Sequence, residues 1–125
     1  MRSLLMGAQN NLPLKQYTEL DLDATAVQIS TSAASTSNVT VYGLDVDNTQ
    51  NTVAVFIHVW NHAGPTVGTT EAVIVYRVPA GVELSIVLNG GVGIALATGC
   101  WLAALTASKG STAPTNDVRA TVYVN

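Results

Sequence analysis

The sequence predicts an all-β chain: a single β-sandwich or jelly roll of about eight antiparallel strands, preceded by an extended N-terminal arm. Three observations lead there. Apolar residues alternate with period two through most of residues 25–124. Gly, Pro, Asn and Ser cluster as turn signals at spacings of about 8 to 12 residues. The one stretch of helix-forming composition, CWLAALTA at 100–107, is short for a stable helix and sits between two turn-rich segments, so it reads as strand. A chain of 125 residues has room for one domain, which we place at 17–125, with the arm at 1–16.

The elements follow in order. Residues 1–16 hold no clean period, and Gly7, Asn10, Asn11 and Pro13 break any helix. Leu4, Leu5, Met6, Leu12 and Leu14 are too apolar for a free tail, so the arm is expected to lie on the body or on a neighbouring molecule. YTELDLD at 17–23 reads as a short edge strand or a loop. Residues 25–31 alternate, with Val27 and Ile29 on one face and Gln28 and Ser30 on the other, and SAASTSN is a turn region. Residues 39–46 resume as strand, but the apolar phase shifts between Val41 and Leu44, which a β-bulge at Gly43 reconciles.

After the DNTQN turn, residues 52–78 (TVAVFIHVWNHAGPTVGTTEAVIVYRV) form two β-rich runs joined by a loop of Gly, Pro and Thr. Val53, Val55, Ile57 and Val59 alternate with Ala54, Phe56, His58 and Trp60; Ala72, Ile74, Tyr76 and Val78 alternate with Val73, Val75 and Arg77. Both runs are apolar on both faces, which predicts two strands covered on both sides at the centre of a sandwich. The loop is long for a hairpin and reads as a crossover between sheets or a projecting contact loop. Pro79-Ala80-Gly81 ends the second run, and residues 82–88 put Val82, Leu84, Ile86 and Leu88 inward with Glu83 and Ser85 outward. Asn89-Gly90-Gly91 is a tight turn. Residues 92–97 place Val92, Ile94 and Leu96 opposite Gly93, Ala95 and Ala97, a smooth face that another backbone can approach. In the closing strand Val118, Ala120, Val122 and Val124 alternate with Arg119, Thr121 and Tyr123.

Composition narrows the function classes. Hydrophobic residues make up 48% and charged residues 10%, so Thr, Ser, Asn and Gly must cover the exterior, a pattern that points to a surface contacted by neighbours. Net charge is −3, and Arg2, Lys15, Arg77, Lys109 and Arg119 are scattered, which argues against nucleic-acid binding. Cys100 is the single cysteine, expected as a buried small hydrophobe in a protein folded in a reducing compartment. No apolar run has the length of a signal peptide or a membrane span.

No constellation points to catalysis. His58 and His62 are the 2 histidines, too few and too far apart along a strand for a metal site, so one reads as packed beside Phe56 and Trp60 and the other as a loop residue. No nucleophile sits in a G-x-S-x-G or comparable context. Asp21 with Asp23 and Asp45 with Asp47 each project from one face; they fall short of a calcium ligand set and read as solvated edges. Asn89-Gly-Gly-Val-Gly lacks the lysine and helix of a phosphate cradle, and the Asn38-Val39-Thr40 sequon carries little weight without a secretory signal. Trp60 and Trp101 are candidates for core or interface anchors.

Pro65-Thr66-Val67-Gly68-Thr69, then Val78-Pro79-Ala80, then Gly93 to Gly99 (GIALATG) and Asp117 to Val122 (DVRATV) follow one another in an order with a precedent. It resembles small β-sandwich virion proteins of tailed bacteriophages, where a PTVGT loop, a "vPa" strand end, an ATG segment and a closing "DVxaxvxY" strand recur. The resemblance spans roughly residues 52–124 and leaves out the first fifty. These positions are turn-makers and core strands, so it implies no catalytic residue, metal or cofactor. It implies a capsid decoration or cement protein on the virion surface, assembled in the host cytoplasm as a homotrimer and bound to the major capsid protein, with no nucleic-acid or membrane partner. The interface candidates are Leu4, Leu5, Met6, Leu12, Trp60, His62, Pro65, Thr66 and Trp101. The alternative is a host-surface or carbohydrate-binding module of a virion tail, neck or fibre, with Trp60 or Trp101 stacked on sugar rings.

Overall fold

A computed structural model describes residues 15–29 and 38–125. Residues 1–14, the greater part of the expected arm, lie outside them. The architecture is two antiparallel sheets packed as a sandwich. Its strands are β1 (Lys15–Glu19), β2 (Val27–Ile29), β3 (Val39–Asp47), β4 (Val55–Asn61), β5 (Ile74–Val78), β6 (Glu83–Val87), β7 (Ile94–Leu96), β8 (Cys100–Leu105) and β9 (Arg119–Val124). One sheet runs β1-β9-β3-β6 with β7 also on β3, and the other runs β2-β8-β4-β5.

With β7 set aside, the pairings nest. β4 pairs β5, β3 pairs β6, β2 pairs β8 and β1 pairs β9, all antiparallel. The chain is therefore one long hairpin rolled into two layers, which is the construction of a jelly roll. Residues 52–78 are its tip: β4 and β5 are neighbours in one sheet, so the connecting residues 62–73 form a long hairpin loop and not a crossover.

Period-two patterning explains the core. Val41, Leu44 and Val46 of β3, Val55, Ile57 and Val59 of β4, and Ala120, Val122 and Val124 of β9 point between the sheets and are buried. Each large aliphatic side chain so placed is worth about 1.5–3 kcal/mol. The phase shift at Gly43 is a register break: Val41 pairs Val124, but Gly43 pairs Tyr123. A Cβ on Gly43 would lie 2.6 Å from the Ile86 carbonyl oxygen, so β3 and β6 can meet there only with glycine. A Cβ on Gly93, at φ +86°, would lie 3.0 Å from the Val41 carbonyl oxygen, which is the close backbone approach its sequence face predicts.

Several expectations need correction. Among the described residues β5 is an edge strand and not a doubly covered one, with Val73, Val75 and Tyr76 exposed and a sheet neighbour on one side. Val53 precedes β4 and is exposed, as are Val82 before β6 and Val92 before β7; each lies outside the strands, where alternation no longer dictates a face. Lys15–Glu19 forms β1, so this strand takes in two residues assigned to the arm, and the described residues hold nine strands.

The turn DNTQN is also less exposed than turn composition suggests. Asn48 and Asn51 are buried. The Asn48 Nδ2 lies 3.1, 3.3 and 3.1 Å from the carbonyls of Val53, Val78 and Pro79, and Asn51 Nδ2 donates to Asn48 Oδ1 at 2.9 Å. Asn51 also exchanges hydrogen bonds with the Asn116 backbone, so three loops at this end of the sandwich share one amide network.

Candidate functional site

The face of the four-stranded sheet turned away from the core carries Phe56, His58 and Trp60 of β4 beside Leu105, Ala103 and Trp101 of β8, in cross-strand register. So apolar a face is unstable in water, and it is covered. Trp60 is 1% exposed and His58 6%. The cover is made of two loops, 62–73 and 106–118. The Trp60 Nε1 donates to the Thr70 carbonyl at 2.9 Å, and the Ala107 carbonyl lies 3.3 Å from His58 Nε2. A Cβ on Gly68 would lie 3.3 Å from Ser111 Cβ, so the two loops meet above the sheet.

The imidazole of His58 stacks on the Trp60 indole, with centroids 5.5 Å apart and planes 26° from parallel. A carbonyl only accepts, so Nε2 is the donating nitrogen of this ring. Between the loops a cleft of about 470 Å³ opens over His58, Trp60 and Val75, walled by Thr70 and Glu71 on one side and Lys109 on the other.

The covering loop is itself pinned. The Thr66 carbonyl accepts the Thr69 and Thr70 N–H groups at 3.0 and 2.8 Å, and the Thr66 N–H donates to Thr70 Oγ1 at 2.8 Å. The His62 Nδ1 accepts the Gly64 N–H at 2.9 Å, and the His62 N–H donates to the Gly99 carbonyl at 3.1 Å.

The outward face of the five-stranded sheet is polar. Asp45 Oδ1 accepts the Ser85 hydroxyl at 2.6 Å and Oδ2 the Tyr123 phenol at 2.5 Å. These two donors, Ser85 foremost, hold the Asp45 carboxyl below the usual range, and the bond to Asp45 raises the Tyr123 phenol. Both carboxylate oxygens are engaged, so Asp45 is a structural acceptor and a poor base. Asp47 is likewise held low by the Thr49 hydroxyl and N–H. Asp21 and Asp23 lie past the end of β1: the Asp21 carboxyl is raised chiefly by Asp117, and Asp23 Oδ1 accepts the Thr25 N–H at 2.8 Å. Among the described residues, no group of three or more His, Cys, Asp or Glu side chains is arranged to hold a metal ion. Cys100 is fully buried, and burial pushes its thiol up to about 12.

Of the interface candidates, Leu4, Leu5, Met6 and Leu12 lie outside the described residues. The others gather in one region. Trp60 and Trp101 are cross-strand partners, Trp101 half-buried with its Nε1 buried and lacking an acceptor among the described residues. His62, Pro65 and Thr66 belong to the loop over the same face, His62 and Thr66 exposed and Pro65 half-buried. Sequence reasoning missed the outer edge of β5 with Glu71, Val73, Val75 and Arg77; the adjoining charges and valines were visible, but the free edge was not.

No protein-family model, curated protein or solved structure matches the chain. The site is two pinned loops, 62–73 and 106–118, that meet over the aromatic outer face of β4 and β8.

Proposed function

We propose that this chain is a virion structural protein of a tailed bacteriophage, a decoration or cement protein that binds major capsid protein subunits on the head surface and assembles as a homotrimer. The observation that carries the reading is the pinned loop 62–73. It coincides with the PTVGT stretch on which the resemblance centres, it is held by Trp60 below and by its own Thr66–Thr70 bonds, and it leaves the His62 and Thr66 side chains in solvent. A loop ordered before contact loses little entropy on binding, which suits a clamp on a preformed protein lattice. The low charge and Thr-rich exterior support the same reading. Burial of Trp60 weighs against the carbohydrate-binding alternative, since its ring face is occupied by His58 and by the loop.

The test is co-sedimentation of the purified protein with expanded and unexpanded heads built from the major capsid protein. Saturable binding that raises the disruption temperature of the heads, and that Thr66→Arg weakens, is the expected result. Heads that neither bind the protein nor gain stability overturn the proposal, and binding to host surface glycans in their place selects the alternative.

A further inference from the structure

β5 takes β4 on one edge, and among the described residues nothing takes the other. Natural sheets blunt such edges with charge, Pro or bulges, because unpaired N–H and C=O groups template a further strand. The outward-facing side chains of β1 (KQYTE) and β6 (ELSIV) are mostly polar. Along β5 and the residues before it, Val73 is 54% exposed, Val75 41% and Tyr76 42%; Glu71 and Arg77 are exposed as well, while Ala72 and Ile74 are half-buried and Val78 is buried.

We propose that this edge pairs with the same edge of a second copy, antiparallel about a two-fold axis at Ile74, joining two four-stranded sheets into one continuous sheet. The sequence selects the register. With Ile74 opposite its own counterpart, Val73 faces Val75, Ala72 faces Tyr76 and Glu71 faces Arg77. Every pair is matched: valine on valine, small on large, acid on base. Because the contact is isologous, each of these pairs occurs twice. Moving the axis to Val75 sets Arg77 against Val73 and Glu71 against Pro79, and moving it to Tyr76 sets Arg77 against Val75; both leave the charges unmatched. Cross-strand pairs of opposite charge and of β-branched residues are the units that stabilise antiparallel pairing. The contact goes beyond the decoration role and does not depend on it; on a shell it would tie neighbouring protomers to each other as well as to the lattice.

The experiment is sedimentation of the full chain over a concentration series at low salt, with Glu71→Arg, Arg77→Glu and the double variant Glu71→Arg/Arg77→Glu. All of these changes are at exposed positions, and thermal melting checks that each variant is folded. The expected assembly is even-numbered: two protomers, or six where a three-fold contact is also made. Each single variant converts both charge pairs to like-charge pairs and weakens that association about tenfold or more, and the double variant, with the charges exchanged, restores it. A strict monomer, an odd-numbered assembly, single variants that associate as the native chain does, or a double variant no better than the singles overturns the proposal. Association that ignores all three variants assigns self-contact to another surface, such as the segment 1–14.

Discussion

The Trp60 indole donates to the Thr70 carbonyl over 2.9 Å, and this bond joins the outward face of a sheet to the loop that shields it. Trp60→Phe keeps an aromatic ring beside His58 and removes the donor. The expected loss is about 1–3 kcal/mol, since a shielded carbonyl is left unpaired. Urea unfolding measures the loss. Amide exchange should quicken at residues 66–72 and stay slow in β9; uniform exchange across both would mean that the bond does not hold the loop.

Gly43→Ala places a methyl group 2.6 Å from the Ile86 carbonyl oxygen, a backbone atom in the β3–β6 ladder that has no rotamer to escape to. The expected cost is about 3 kcal/mol, at the upper end for overpacking. Gly64→Ala, with nothing within 4 Å of the new carbon, is the control and should fall within about 0.5 kcal/mol of the native chain. Equal effects from the two in thermal or urea unfolding would show that the close approach at Gly43 is relaxed.

Asn48 reaches three carbonyls through one amide nitrogen. Asn48→Ala removes the donor. Asn48→Asp does worse at neutral pH, because it points oxygen lone pairs at those carbonyls and buries a charge, an added cost of about 1–3 kcal/mol. Acid should narrow the gap between the two variants, since a protonated carboxyl regains one donor. Unfolding midpoints at neutral and mildly acidic pH decide it; a gap that does not narrow would count against the amide's donor role.

Asp45 titrates lower in the folded chain than in the unfolded one, for which Asp is ordinarily near about 3.9. Its contribution is present above that value and is lost as pH falls from there through the folded pKa. Tyr123 is raised, so its contribution is present below the ordinary tyrosine range near about 10 and is lost as pH climbs through its folded pKa. Asp45→Asn should flatten the stability profile on the acid side and bring the Tyr123 phenol back toward its ordinary titration, read by ultraviolet absorbance. An unchanged phenol would show that the Tyr123–Asp45 bond is not formed in solution.

Strict alternation made the interior legible in advance. Residues 118–124 put Val118, Ala120, Val122 and Val124 in the core as expected, and the broken phase in β3 located the bulge at Gly43. What period two reports is whether a face is apolar, and it says nothing of what covers that face. β4 and β5 read alike for this reason. Yet β4 has a sheet neighbour on each side and loops over His58 and Trp60, while β5 has one neighbour among the described residues and exposed Val73 and Val75. Asn48 and Asn51 escaped notice because turn-forming amides read as solvated; their burial depends on carbonyls supplied from residues 78, 79 and 116, far along the chain. Trp60, Trp101, His62, Pro65 and Thr66 were singled out as separate residues, and that they share one side of the molecule follows from the hairpin at the tip.

The nested pairing also sets an order of events. β4 and β5 close across the single loop 62–73, whereas β1 and β9 bring together residues as distant as Lys15 and Val124. Each inner pair shortens the span the next pair must close, so the economical route zips outward from residues 52–78, and the non-local pairs place folding on the slow side for a domain of this size. On a ribosome, β1, β2 and β3 emerge before any of their strand partners exists. β9 must then slot between β1 and β3, so the five-stranded sheet is completed from its middle by the last strand made.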